Sequence, residues 1–221
     1  AALKEDGSVV TWGDYDYGGN SSSVSTDLQS GVTQIFSNGG AFAALKDDGS
    51  VVTWGSPTAG GNSSGVYNEL QSGVTQIFST DNSFAALKED GSVVTWGDSG
   101  GGDSSSVSTD LQSGVTQILS TSYAFASLKE DGSVVTWGSS DYGGDSSSVS
   151  ADLQSGVTQI FSTYWTFAAL KEDGSVVTWG RYDRGGDSSS VASHLQSDVS
   201  QISSTESAFA ALKDDGSVVV W

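Results

Sequence analysis

The stretch Ala2-Leu3-Lys4-Glu5-Asp6-Gly7-Ser8-Val9-Val10-Thr11-Trp12 returns, almost letter for letter, at Ala44–Trp54, Ala86–Trp96, Ser127–Trp137, Ala169–Trp179 and Ala211–Trp221. The terminal Trp residues of these copies are 42, 42, 41, 42 and 42 positions apart, a period that signals a repeat architecture. Each copy reads as a β-hairpin. Asp-Gly stands between an apolar run (Phe42–Lys46) and a β-branched run closed by an aromatic (Ser50–Trp54). That dipeptide predicts a type I′ turn, with positive φ at both central residues.

Outward from the hairpin, the rest of one unit resolves into further short elements. Strand A is Val32–Ser37, B is Phe42–Asp47, C is Ser50–Trp54, and the polar run Ser21–Leu28 reads as a strand D. The chain then divides into a half unit, 1–12, and five full units, 13–54, 55–96, 97–137, 138–179 and 180–221. Four short strands in about 42 residues is the size of one propeller blade. A lone four-stranded sheet cannot cover both of its faces, so neighbouring blades must stack on it. No 3.6-residue periodicity appears, which argues against helical solenoids. The antiparallel hairpin argues against a parallel β-helix. The expectation is a single all-β body, a β-propeller of four-stranded antiparallel blades: five full repeats plus an extra hairpin, about six blade positions.

Composition narrows the function. The chain has 221 residues, no Cys, no Met, and a net charge of −19 from 27 acidic and 8 basic residues. So acidic a surface repels phosphate backbones and anionic lipid, which argues against nucleic acid as a partner. No apolar run reaches the length of a membrane span. Without Cys there is no disulfide, thiolate metal site or Cys nucleophile.

The string Gly-Val-Thr-Gln-Ile…Phe-Ala-Ala-Leu-Lys-x-Asp-Gly-Ser-Val-Val-Thr-Trp-Gly, followed by an acidic Gly-Gly loop, resembles the regulator of chromosome condensation repeat family. It is closer to the short bacterial form of that repeat, found in the type II β-lactamase inhibitory protein. The resemblance covers the whole chain. It implies a β-propeller, usually of seven blades, but no single function, since the family includes exchange factors and enzyme inhibitors.

There are six B–C hairpins but five A strands, so a six-blade ring would lack one innermost strand. This points to a fragment of a longer array or to a ring with one incomplete blade, whose open edges invite edge-to-edge self-association. The last repeat drifts: Ser203 stands where the others have Phe36, Phe78, Leu119 and Phe161, and Asp198 replaces Gly31, Gly73, Gly114 and Gly156.

Comparing the repeats with one another isolates two variable windows. One is the A–B loop, with Gly39–Ala41, Asp81-Asn82-Ser83, Ser122-Tyr123-Ala124, Tyr164-Trp165-Thr166 and Glu206–Ala208. The other is the C–D loop, with Asp14–Tyr17, Ser56–Ala59, Asp98–Gly100, Ser139–Tyr142 and Arg181–Arg184. In an antiparallel A-B-C-D meander both loops emerge at one end of the strands. Six of the seven Tyr, the one Trp outside the repeat motif and both Arg lie in these windows. Tyr, Trp and Arg dominate interface energetics. The candidate ligand-binding residues are therefore Tyr15, Tyr17, Asp81, Asn82, Tyr123, Tyr142, Tyr164, Trp165, Arg181, Tyr182 and Arg184. In the inhibitor relative the corresponding loop face grips its partner, and by that resemblance Tyr123, Tyr142, Tyr164, Trp165, Arg181 and Tyr182 are the foremost contacts.

Catalysis finds little footing. The single His, His194, replaces the Asp27, Glu69, Asp110 and Asp152 of other repeats and reads as a surface substitution. Asp14-x-Asp16-x-Gly18-Gly19-Asn20 has the oxygen-rich composition that a hard cation such as calcium requires, which makes Asp14 and Asp16 weak metal candidates. Otherwise no cofactor is expected. The sequence reads as a non-enzymatic recognition module of a secreted or cell-surface bacterial protein, binding a protein or glycan. The alternatives are a structural or adhesive repeat array, a protein inhibitor of an enzyme and, more weakly, a glycan-active enzyme using paired carboxylates.

Overall fold

The computed structural model describes residues 1–221. The chain forms two compact units, Ala1–Ser113 and Gly114–Trp221. The first holds a two-stranded sheet, β1 (Ala2–Leu3) and β2 (Val9–Val10), and two three-stranded sheets. These are β3 (Val32–Ser37), β4 (Ala41–Lys46) and β5 (Val51–Gly55), then β6 (Val74–Ser79), β7 (Ser83–Lys88) and β8 (Val93–Gly97). The second unit holds three such sheets. They are β9 (Val115–Ser120), β10 (Ala124–Lys129) and β11 (Val134–Gly138); β12 (Val157–Ser162), β13 (Thr166–Lys171) and β14 (Val176–Gly180); and β15 (Val199–Ser204), β16 (Phe209–Lys213) and β17 (Val218–Val220). Every three-stranded sheet is an antiparallel meander with the second strand in the middle.

The middle strand explains the Phe-Ala-Ala-Leu run. Ala43, Ala44 and Leu45 are all buried, so both faces of the sheet are covered and the small Ala side chains allow neighbours to approach. One face packs forward: Ala43, Leu45 and Val51 join Ile77, Phe84, Ala86 and Trp96 of the next repeat in one cluster. In the second unit Ala126 and Leu128 meet Ile160, Phe167, Ala169 and Trp179 in the same way. The register between first and second strands slips by one residue at a bulge beside Thr33, Thr75, Thr158 and Ser200. Their hydroxyls donate to the carbonyls of Leu45, Leu87, Leu170 and Leu212 at 3.1–3.2 Å, filling the gap that the bulge opens.

Two expectations need correction. The hairpin is not type I′. Gly49 has φ +75° while Asp48 keeps a negative φ, and Gly49 N–H donates to Lys46 O at 3.0 Å. This is a type I turn followed by a left-handed Gly, the usual three-residue hairpin loop. Asp48 holds it shut by accepting from Ser50 N–H (2.9 Å) and Ser50 Oγ (2.6 Å). The Ser50 hydroxyl, then its amide, hold the Asp48 carboxyl below its usual 3.8.

Nor is there a fourth strand. Ser21–Leu28 is a single 3₁₀ turn at Ser22–Val24 followed by further turns, the same holds at Ser64–Val66, Ser105–Val107 and Ser147–Val149, and in the last repeat the 3₁₀ helix lengthens to Ser189–His194. The preceding Asx side chain decides this. Asn20, Asn62, Asp103, Asp145 and Asp187 each accept from the backbone N–H two residues on, at 2.8–3.0 Å, and wind the chain before a ladder can form. Only isolated bonds then tie this segment to the third strand, as in Val51 N–H to Leu70 O (2.9 Å) and Thr53 Oγ1 with Ser63 Oγ (2.9 Å).

Asp198 is the one non-Gly residue with positive φ, at +63°. Its counterparts Gly31, Gly73, Gly114 and Gly156 sit at +75° to +77°. Restoring the repeat residue with Asp198→Gly should therefore stabilise the chain by about 1 kcal/mol, read as a higher urea midpoint at unchanged slope.

Candidate functional site

The A–B loop of each sheet is joined to the C–D loop that leaves the same sheet. Gly40 O accepts from Ser56 N (2.9 Å), Asn82 O from Asp98 N (3.0 Å), Tyr123 O from Ser139 N (2.9 Å) and Trp165 O from Arg181 N (3.4 Å). The A–B and C–D loops thus share one end of each sheet. The hairpin turn and the turn before strand A share the other, where Asp47 N donates to Gly31 O (2.8 Å) and Val74 N to Gly49 O (3.0 Å).

The C–D loop is anchored by its Gly-Gly pair. The first Gly (Gly18, Gly60, Gly143, Gly185) has φ between +85° and +95°, and a Cβ there would come within 2.6–3.1 Å of the Phe ring of the sheet that follows it. Its carbonyl accepts from the Trp Nε1 of that repeat: Trp54 to Gly18, Trp96 to Gly60, Trp179 to Gly143 and Trp221 to Gly185, each at 3.1 Å. Each of these Trp stacks on its own repeat's Phe at 5.2–5.4 Å. One loop is a residue shorter, Asp98–Gly102, and Thr80 Oγ1 beside it is buried with no hydrogen-bond partner. Its counterpart Thr121 donates to Tyr142 O at 2.9 Å, an acceptor which the longer loop supplies.

In the second unit the structure brings five of the predicted residues into one row. Tyr123 meets Tyr142 edge-on at 4.8 Å, Tyr142 stacks on Trp165 at 4.9 Å, and Trp165 packs against Tyr164 at 5.1 Å. The Arg181 guanidinium lies 4.7 Å from the Trp165 ring centroid and pairs with Asp183 at 2.9 Å. Such a cation over Trp contributes about 0.5–1 kcal/mol at an exposed site. Tyr164 is exposed, and Tyr123, Tyr142, Trp165 and Arg181 are half-buried, so the row is both held and accessible. Tyr182 and Arg184 are exposed and stand off from the row.

The row is fixed from beneath. Ser122 N donates to Tyr164 O (3.1 Å) and Tyr164 N to Glu206 O (3.0 Å), so the A–B loops of three successive repeats are tied by backbone bonds. Thr163 Oγ1 accepts from Trp165 N and Thr166 N, both at 3.1 Å, and Thr166 Oγ1 donates to Arg184 O at 3.1 Å. The sequence reading passed over these threonines. Their signal was the Thr that opens the A–B loop at Thr80, Thr121, Thr163 and Thr205.

The candidates in the first unit are more dispersed. Tyr15 and Tyr17 are exposed, Tyr17 lying near Gly40. Asp81 and Asn82 serve the scaffold with their carbonyls, which accept from Gly39 N (2.9 Å) and Asp98 N (3.0 Å). The Asp14 carboxylate accepts from Asp16 N at 2.9 Å and so caps its own loop. No group of three or more His, Asp or Glu side chains converges as a metal site would require.

No family model and no curated protein matches the chain. Solved structures do. Human WBSCR16 superposes with a TM-score of 0.54 at 21% identity, over 86% of this chain and 61% of that one. Yeast RCC1 (Prp20), in its complex with Kap60, gives 0.53 at 21% identity, over 86% and 55%. Prp20p from Saccharomyces cerevisiae, in a structure reported with its binding properties to Gsp1p and histones, gives 0.51 at 19%, over 86% and 56%. The chain thus spans 55–61% of the length of these structures. Its repeating antiparallel sheets and these likenesses make its fold that of an RCC1-like β-propeller, built from three-stranded sheets.

Proposed function

We propose that the chain is a non-enzymatic recognition module, from a secreted or cell-surface protein, that grips a protein or glycan through its A–B and C–D loops. The observation that carries this reading is the row Tyr123–Tyr142–Trp165–Tyr164 with Arg181 over Trp165. Rigid aromatic side chains offer contact area at small entropic cost, and the bonded loops beneath leave little to be ordered on binding. A protein partner is in keeping with the yeast likeness, where Prp20 is bound to Kap60.

A glycan array and a pull-down, each with and without calcium, would supply the partner. Trp165→Ala with Tyr142→Ala should then weaken it by at least about 30-fold, the loss of a hot spot, with the circular dichroism spectrum unchanged. Equal binding by the folded double variant would remove the row from the interface. Capture of a single enzyme whose turnover the chain suppresses would identify an inhibitor.

A further inference from the structure

The seventh Tyr lies outside the variable loops. Tyr67 occupies the position held by Ser25, Ser108, Ser150 and Ala192 in the other repeats, on the segment that winds instead of forming a strand. It is 59% exposed and lines a cavity of about 370 Å³ on the flank of the first unit, beside strand β5. That volume is at the lower end of small-ligand sites.

The lining carries polar groups with hydrogen-bonding capacity to spare. Lys88, Lys171 and Lys213 each donate from Nζ to the carbonyl nineteen residues earlier, at 2.8–3.0 Å. Lys46, at the same repeat position, makes no such bond and lines the cavity together with Asp27. Lys46 and Asp27 form no ion pair with each other. Asn62 commits Oδ1 to Ser64 N (3.0 Å) and keeps Nδ2, and Gln71 commits Nε2 to Tyr67 O (3.0 Å) and keeps Oε1. The cavity therefore offers donors from Lys46 and Asn62, acceptors from Asp27 and Gln71, the hydroxyls of Ser23 and Ser64, and the ring of Tyr67.

The chemistry selects the ligand. A phosphate or carboxylate would meet Asp27 and the field of a chain carrying −19. An aliphatic ligand would strip water from Lys46 and Asp27 without replacing it. A neutral ring with hydroxyls along its edge and C–H groups on one face can exchange hydrogen bonds with both the charged and the neutral groups of the lining and lie against the Tyr67 ring. We propose that this cavity binds a single neutral sugar ring, stacked on Tyr67 and hydrogen-bonded by Lys46, Asp27, Asn62 and Gln71. It is separate from the aromatic row and does not rest on the function proposed for it.

The test is titration of the intact chain with methyl α-D-glucopyranoside, methyl β-D-galactopyranoside and methyl α-D-mannopyranoside, followed by saturation-transfer NMR and calorimetry. At least one should bind saturably and shift the Tyr67 ring resonances. Tyr67→Ser restores the residue found in other repeats, so it should fold normally yet bind at least about tenfold more weakly. Trp165→Ala should bind as the wild type does. The proposal is overturned if none of the three glycosides saturates, if Tyr67→Ser binds unchanged, or if Trp165→Ala alone abolishes binding.

Discussion

Trp179→Ala is expected to lower the free energy of unfolding by about 3–5 kcal/mol, the usual range for deleting a large buried aromatic. Trp179 is 2% exposed, stacks on Phe167 at 5.4 Å, and donates from Nε1 to Gly143 O at 3.1 Å. The substitution removes the stack, opens a cavity between two repeats and strands a carbonyl. Trp179→Phe should recover most of the packing and leave about 1–3 kcal/mol, the cost of the unpartnered acceptor. The same replacement at Trp12 is the control. That residue carries the same motif but is 64% exposed, so Trp12→Ala should change stability by less than about 0.5 kcal/mol. Urea denaturation of the three variants separates the contribution of packing from that of sequence identity.

Gly144→Ala should be nearly as damaging, by a different route. A Cβ at Gly144 would overlap the carbonyl group of Gly138, inside the backbone of its own loop. The residue cannot move away: its N–H donates to Ser139 O at 2.8 Å and its carbonyl accepts from Thr136 Oγ1 at 3.1 Å. Overpacking against backbone with both peptide groups bound should cost about 3 kcal/mol or more. Gly65→Ala is the contrast, since nothing lies within 4 Å of its Cβ position and its φ is not left-handed. It should be neutral to within about 0.5 kcal/mol. A Gly144→Ala variant as stable as wild type would mean the C–D loop is far looser than its bonds indicate.

Strands A, B and C were legible because their signal is local: β-branched and aromatic residues in short runs between Gly-containing turns. Strand A was placed to the residue in all five copies. Segment D was not. Its Ser and Val residues are compatible with a strand, and the deciding interaction is a side chain, Asn20 or Asp103, reaching the backbone two residues on. The turn type failed for a related reason. Asp-Gly suits two geometries, and the Asp48 carboxylate bonded to Ser50 fits the one that is found. At the site, residue type was legible and arrangement was not. That Tyr, Trp and Arg gather in two windows is visible in the sequence. That Tyr142 lies between Tyr123, at the end of the sheet before it, and Trp165, at the end of the sheet after it, depends on packing between sheets. Tyr67 was passed over because it stands outside both windows.

The indole-to-carbonyl bond between successive sheets carries an evolutionary corollary. Four of the five C–D tips are framed by the same fixed points: a Gly at the entry, a Gly-Gly pair at the exit, and a Trp thirty-six positions further on that clamps the first of the pair, whereas at the shorter tip Trp137 Nε1 is buried without a partner. Whatever lies between those points is free to differ, as Pro57-Thr58-Ala59 and Tyr182-Asp183-Arg184 already do. Tips are therefore interchangeable cassettes: recombination between copies could shuffle them from one position to another, altering what the molecule touches while its framework goes on folding as before.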